Sequence, residues 1–246
     1  MSADKTVVLI TGANSGIGFD TCAAFAEASS EYHVILSSRS LEKGQKALDE
    51  LRSQNTLRGT ISLLQLDVTD GDSINRARQH IEQQFGGRLD VLINNAGIIS
   101  SESDLLANLR QTFETNTFGP AIVIKTFVPL LKKSAKPRIV YISLCGDPSY
   151  KHYRNPHLTY RMSKAALNLL SVYHQIEFES WGCKVCAYNP GYAVTNLTGE
   201  AGRAIRIKNG ARPSTESAKY LLEIAQGKKD GDVGGIVDVD GGVRPW

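Results

Sequence analysis

The chain has 246 residues, 41% hydrophobic and 22% charged, a balance that supports a buried core without staples and excludes a disordered protein. The net charge is only +3, and the densest basic stretch, Arg203 to Lys208, holds three charges, so nothing here argues for a nucleic-acid partner. No segment approaches the roughly 18 apolar residues of a membrane span, and Met1-Ser-Ala-Asp-Lys5 leads straight into an apolar strand, so no membrane partner and a cytoplasmic location are expected.

Short β-branched runs then alternate with amphipathic stretches. Residues 6–10 predict a first strand and 16–28 its helix; 33–36 and 41–52 form the second pair, 61–66 and 72–85 the third. Residues 91–93 predict a fourth strand, followed by a long helical region over 103–133 that is broken near Thr117-Phe-Gly-Pro120. Residues 138–143 predict the fifth strand, and a loop rich in Pro, Tyr and His leads to a helix over 158–180. Residues 184–188 are the sixth strand; after an irregular stretch Ser214 caps a helix to about residue 226, and 235–239 are the last strand. Strict alternation implies right-handed βαβ crossovers. The expected fold is a doubly wound, Rossmann-type α/β domain spanning residues 1–246, with a mostly parallel seven-stranded sheet and helices on both faces.

Of the four cysteines, Cys183-Lys-Val-Cys186 matches C-x-x-C but lies in a predicted strand. Side chains three apart on a strand point to opposite faces, which spoils metal and redox geometry, so buried thiols and no metal are expected.

Thr11-Gly12-Ala-Asn14-Ser15-Gly16-Ile17-Gly18 joins the first strand to the first helix. A tight turn, close approach of backbone to a pyrophosphate, and a helix N-terminus aimed at its charge all require such a segment. The spacing is G-x-x-x-G-x-G, and here the chain resembles the short-chain dehydrogenase/reductase family, whose Thr-Gly-x-x-x-Gly-x-Gly turn it matches. Further matches follow in order: Asp67-Val68, Asn94-Asn-Ala96-Gly97, Tyr160-Arg-Met-Ser-Lys164, Asn189-Pro190-Gly191 and Asp240-Gly-Gly242. The resemblance implies that Asp67 and Val68 contact adenine, that Asn94, Ala96 and Gly97 flank the cofactor, and that Pro190, Gly191 and Thr195 lie on the nicotinamide side.

An acidic side chain ending the second strand would favour NAD. This chain reads Leu36-Ser-Ser38-Arg39 there, with no acid until Glu42. Ser38 offers a hydroxyl and Arg39 a planar fork suited to a 2′-phosphate, so NADPH/NADP⁺ is the expected cofactor.

Tyr160 and Lys164 are four apart on a predicted helix and share a face. A carbonyl that accepts hydride must also accept a proton, and an ammonium near a phenol is expected to lower the phenol's pKa from about 10. The resemblance adds two roles: Lys164 binds the nicotinamide ribose, and Asn116, in Thr115-Asn-Thr-Phe-Gly119, holds a water linking the lysine to solvent.

The family's catalytic serine is the second of Ile-Ser-Ser, with a glycine three residues later; this chain reads Ile142-Ser143-Leu144-Cys145-Gly146. Aligned from the strand, the catalytic position is Leu144; aligned from the glycine, it is Ser143. A one-residue slip turns the side chain to the other face, and Ser149, Tyr150, His152 and Tyr153 are further potential donors. Two loops, 145–157 and 193–212, should cover the substrate.

The resulting expectation is an NADPH-dependent reductase of a small-molecule carbonyl, using Tyr160, Lys164, Ser143 and Asn116. Two other functions fit the same residues: altered, non-redox or cascade chemistry, and a cofactor-binding sensor. Relatives pair their long helices, so a homodimer or homotetramer is expected.

Overall fold

A computed structural model describes residues 5–144, 157–232 and 235–244. Among these described residues eight strands join one sheet: β1 (Thr6–Ile10), β2 (Tyr32–Ser38), β3 (Thr60–Gln65), β4 (Val91–Asn94), β5 (Arg138–Ile142), β6 (Lys184–Asn189), β7 (Ile236–Asp238) and β8 (Val243–Arg244). Their order is β3-β2-β1-β4-β5-β6-β7-β8. Every pairing is parallel except that of β7 with β8. The expected α/β fold is therefore observed, with eight strands instead of seven. The additional strand has two exposed residues and carries no hydrophobic pattern that a sequence reading could detect.

The helices are α1 (Gly16–Ala28), α2 (Leu41–Ser53), α3 (Gly71–Gln84), α4 (Leu105–Phe113), α5 (Gly119–Leu131), α6 (Leu158–Glu179), α7 (Gly199–Lys208) and α8 (Ser214–Ala225). Several begin where the sequence supplies a cap: the side chains of Ser40 and Asp104 accept from the backbone N–H groups of Lys43 and Ala107. At α8 the cap position is Pro213, not Ser214, which is instead the first helical residue. The stretch expected to be irregular contains α7. It buries no residue, so the core does not hold it as it holds the other helices.

Alternating strand residues build two cores, one on each face of the sheet. Leu9, Ile35, Leu92 and Tyr141 pack with Ile81, Phe127 and Leu167 of α3, α5 and α6. Val8, Ile10, Val34 and Val140 pack with Phe25, Leu48 and Leu221 of α1, α2 and α8. Cys183, just before β6, belongs to the first core, and Cys186 on β6 packs against the second, so the two thiols lie on opposite faces of the sheet.

The expected break in the long helical region is a π-helical turn, Glu114–Phe118, between α4 and α5. Gly119 N–H reaches back five residues to the Glu114 carbonyl, and Pro120 has no N–H to offer the Asn116 carbonyl four residues behind it. A Cβ on Gly119 would lie 2.8 Å from the Val68 carbonyl oxygen, so the turn is seated directly on the loop after β3.

Candidate active site

Strand order reverses between β1 and β4, and at such a switch point the loops beyond the carboxyl ends separate to leave a crevice. A cavity of about 650 Å³ lies there, running from Arg39 and Lys43 to Tyr160 and Arg206.

Its floor is made of loops bonded to one another. Thr11 Oγ1 accepts from the N–H groups of Asn95 and Ala96, both at 3.0 Å, and Asn95 Nδ2 donates to the carbonyls of Thr11 and Gly12 at 2.8 and 3.0 Å. Gly12 has φ +61°, and a Cβ there would meet Ala96 Cα at 2.8 Å. Gly18 lies outside the cavity wall; a Cβ on it would come within 2.4 Å of Asn95 Nδ2, so it serves close packing of α1 on the β4 loop. Gly16, with φ +58°, faces Thr195.

Of the expected cofactor residues, Gly12, Asn14, Ser15, Gly16, Ile17, Ser38, Arg39, Asp67, Val68, Ala96, Gly97, Tyr160, Lys164, Pro190, Gly191 and Thr195 all line the cavity. Asn94 does not: it ends β4 with a buried amide that has no hydrogen-bond partner among the described residues, and its neighbour Asn95 lines the cavity instead. Ser38 is buried, and its hydroxyl is spent on Asn14 Oδ1 (3.3 Å) and the Ser40 carbonyl (2.9 Å). Arg39 is exposed, and Lys43, which sequence reasoning missed, lines the same end. Lys43 could have been found from its place in the first turn of the helix that follows the second strand. The Asn189-Pro190-Gly191 turn is anchored by Asn189, whose Nδ2 donates to Asp238 Oδ2 at 2.8 Å and whose Oδ1 accepts from Gly191 N–H at 3.3 Å.

At the other end α6 carries Tyr160 and Lys164. Lys164 is buried; its Nζ donates to the Ile142 carbonyl at 2.7 Å and lies 5.7 Å from the Tyr160 ring centroid. A Cβ on Gly97 would be 3.6 Å from that Nζ and 3.4 Å from Asn116 Oδ1, so these elements converge. Asn116 is fully buried and clamps Ile98, accepting from its N–H at 2.8 Å and donating to its carbonyl at 3.0 Å, with a second donation to Ser163 Oγ at 3.0 Å. Its side chain is thus occupied by protein groups; the group left without its α-helical donor is its backbone carbonyl, because residue 120 is proline.

Ser143 lines the cavity, yet its hydroxyl turns toward α6, donating to Asn168 Oδ1 and to the Lys164 carbonyl at 3.3 Å. Leu144 also lines the cavity, and its carbonyl accepts from Asn168 Nδ2 at 3.1 Å. Ser149, Tyr150, His152 and Tyr153 lie outside the described residues.

The electrostatics differ from the simple expectation for a phenol beside an ammonium. Burial dominates at Tyr160 and pushes its pKa up to about 12, while the charges of Arg206 and Arg161 oppose that rise. Burial also lowers Lys164, to about 8, so the ammonium is held only weakly. A phenol in this state stays protonated at neutral pH, the form a proton donor requires.

Together the switch-point cavity, the glycine turn and the Tyr160–Lys164 pair define a dinucleotide-dependent oxidoreductase architecture. A family model described as "short chain dehydrogenase" matches residues 6–205, and the chain belongs to the short-chain dehydrogenase/reductase family of nicotinamide-dependent oxidoreductases. It is 32% identical to short-chain dehydrogenase/reductase tropE of Talaromyces stipitatus over 99% of both chains. It is 36% identical to short-chain dehydrogenase anuI of Penicillium roqueforti over 87% of this chain and 88% of that one. Among solved structures it resembles an NADPH-bound carbonyl reductase from chicken fatty liver, with TM-score 0.82 and 28% identity over 98% of this chain and 99% of that one. Among the described residues no helix is long and apolar enough to cross a membrane, and no cluster of His, Cys, Asp or Glu could hold a metal.

Proposed function

We propose that the protein is an NADPH-dependent carbonyl reductase in which Tyr160 donates the proton. The observation that carries this reading is one continuous cavity with Arg39 and Lys43 at one end and Tyr160 and Lys164 at the other. β2 ends in Ser37-Ser38 and continues into Arg39-Ser40, without a carboxylate to repel a 2′-phosphate. The NADPH-bound neighbour supports the same cofactor.

The residues present fit that cofactor: Gly12 leaves room for close approach, and α1 presents its N-terminus to a pyrophosphate. Asp67 and Val68 would border adenine; Thr195 and Pro190-Gly191 would border the nicotinamide. The bound cofactor supplies hydride. Tyr160 holds the substrate oxygen by a hydrogen bond and gives up its proton as charge develops there. Lys164, fixed by the Ile142 carbonyl, orients the ribose and favours the phenolate that results.

A second reading, altered chemistry on the same pair, draws support from one feature: the Ser143 hydroxyl faces α6 while Leu144 lines the cavity. A missing oxyanion donor costs on the order of 3 kcal/mol of transition-state stabilisation. The single domain would work as a homodimer or tetramer, with Phe118, Ile122, Leu169, Tyr173 and Ile176 forming an exposed apolar face on the π-helical turn, α5 and α6. A cytoplasmic setting fits the free thiols of Cys22, Cys183 and Cys186.

The test is a carbonyl panel followed at the NADPH absorbance band. Turnover should fall by roughly 10²–10⁴ in Tyr160→Phe while NADPH still binds. A wild-type protein that binds neither pyridine nucleotide, or binds NADPH and consumes none across the panel, would sink the reading.

A further inference from the structure

We propose that the substrate is anionic: a carbonyl compound carrying a carboxylate, or an equally acidic group, that Arg206 receives at the Tyr160 end of the cavity. This rests on the reductase reading for the carbonyl, and on the geometry of α7 for the charge.

α7 buries none of its residues, and Arg203 and Lys208 on it are exposed. Arg206 alone of its three basic side chains is half-buried and lines the cavity. Its guanidinium lies 5.2 Å from the Tyr192 ring centroid, and its Nη1 donates to the Ala193 carbonyl at 3.3 Å. A guanidinium has five donors in a planar fork. One long bond to a neutral carbonyl leaves most of that fork free, and among the described residues no carboxylate pairs with it.

Arg161 lines this end too, beside His157, whereas the one carboxylate among the described lining residues, Asp67, lies just beyond β3. Burial first, and then the charges of Arg206 and Arg161, lower the pKa of His157, so its ring adds no positive charge near neutral pH. A partly desolvated guanidinium such as that of Arg206 gains when an opposite charge enters, and a carboxylate meeting it does so with charge-assisted bonds. The apolar walls from Leu144, Tyr192 and Leu197 suit an aromatic or cyclic body behind the acid.

The probes are benzoate and its neutral isostere benzamide, titrated calorimetrically into the full chain with and without saturating NADPH. Benzoate should bind at least tenfold more tightly than benzamide. That preference should vanish in Arg206→Gln, survive in part in Arg206→Lys, and be unaffected in Arg203→Gln. Equal binding of the two probes, or a preference that persists in Arg206→Gln, overturns the proposal. So does a loss of NADPH affinity in Arg206→Gln equal to the loss for benzoate, since the guanidinium would then serve the cofactor. In turnover, 4-acetylbenzoate should be reduced with kcat/KM at least tenfold above its methyl ester. Equal turnover of acid and ester overturns the anion site and leaves the reductase standing. Selective benzoate binding with no NADPH consumption by either compound does the reverse.

Discussion

The two ends of the cavity are held in different ways. At the glycine-turn end, backbone and short side chains of the loops after β1 and β4 are tied by four hydrogen bonds of 3.0 Å or less, and two glycines stand where a Cβ would strike a neighbour. At the Tyr160 end, the wall is made of long side chains reaching in from α6 and α7, and α7 itself contributes nothing to the core. A shared ligand calls for fixed backbone geometry; a ligand peculiar to one protein calls for side chains that can be exchanged without disturbing the fold. In the proposed reading the first end holds the cofactor, and the second, where Tyr160 and Lys164 sit, also selects the substrate.

That contrast can be attacked from several sides. After the loss expected for Tyr160→Phe, the largest effect should come from pH. Lys164 is charged only below about 8, so kcat/KM for NADPH should fall about tenfold per unit as pH rises beyond that value. A flat profile to pH 10 would show that the ammonium is not needed. Next, Arg39→Ala should weaken NADPH binding roughly 10- to 100-fold, the worth of a hydrogen bond to a charged group, with little change for NADH, as measured by fluorescence titration. Gly12→Ala, which forces a Cβ onto Ala96 at a positive φ, should cost about 1–3 kcal/mol and lower the melting temperature by about 3–10 °C. The smallest change should follow Ser143→Ala. It removes a bond to Asn168 and should cost about 1 kcal/mol in a thermal melt, with kcat/KM within about threefold of wild type. A far larger loss of turnover than of stability there would restore Ser143 to the chemistry.

Much of the fold could be read in the sequence because alternate strand residues face two helix layers, leaving long apolar runs such as Val7-Val-Leu-Ile10. What escaped had no such signature. β8 has two exposed residues, and α7 fully buries none of its residues. In the site, the Tyr160–Lys164 pair and the glycine turn were legible because local spacing fixes their geometry. Arg206 was seen only as part of a charged run, since its entry into the cavity depends on how α7 lies against Tyr192 and Ala193. Asn94 and Asn95 could not be told apart for their roles, because which of two adjacent side chains faces a crevice is decided by where the strand stops.

The π-helical turn has a bearing on what insertions and deletions this chain can accept. Each residue advances an α-helix by about 100°, so the surplus residue in Glu114–Phe118 sets the phase between the α4 and α5 faces. Removing one residue there would regularise the hydrogen bonding locally and swing Val123, Ile124 and Phe127 of α5 away from the core they fill. Length at this point is therefore as tightly constrained as residue identity, and a homologue of different length is expected to absorb the change in the loops beyond it.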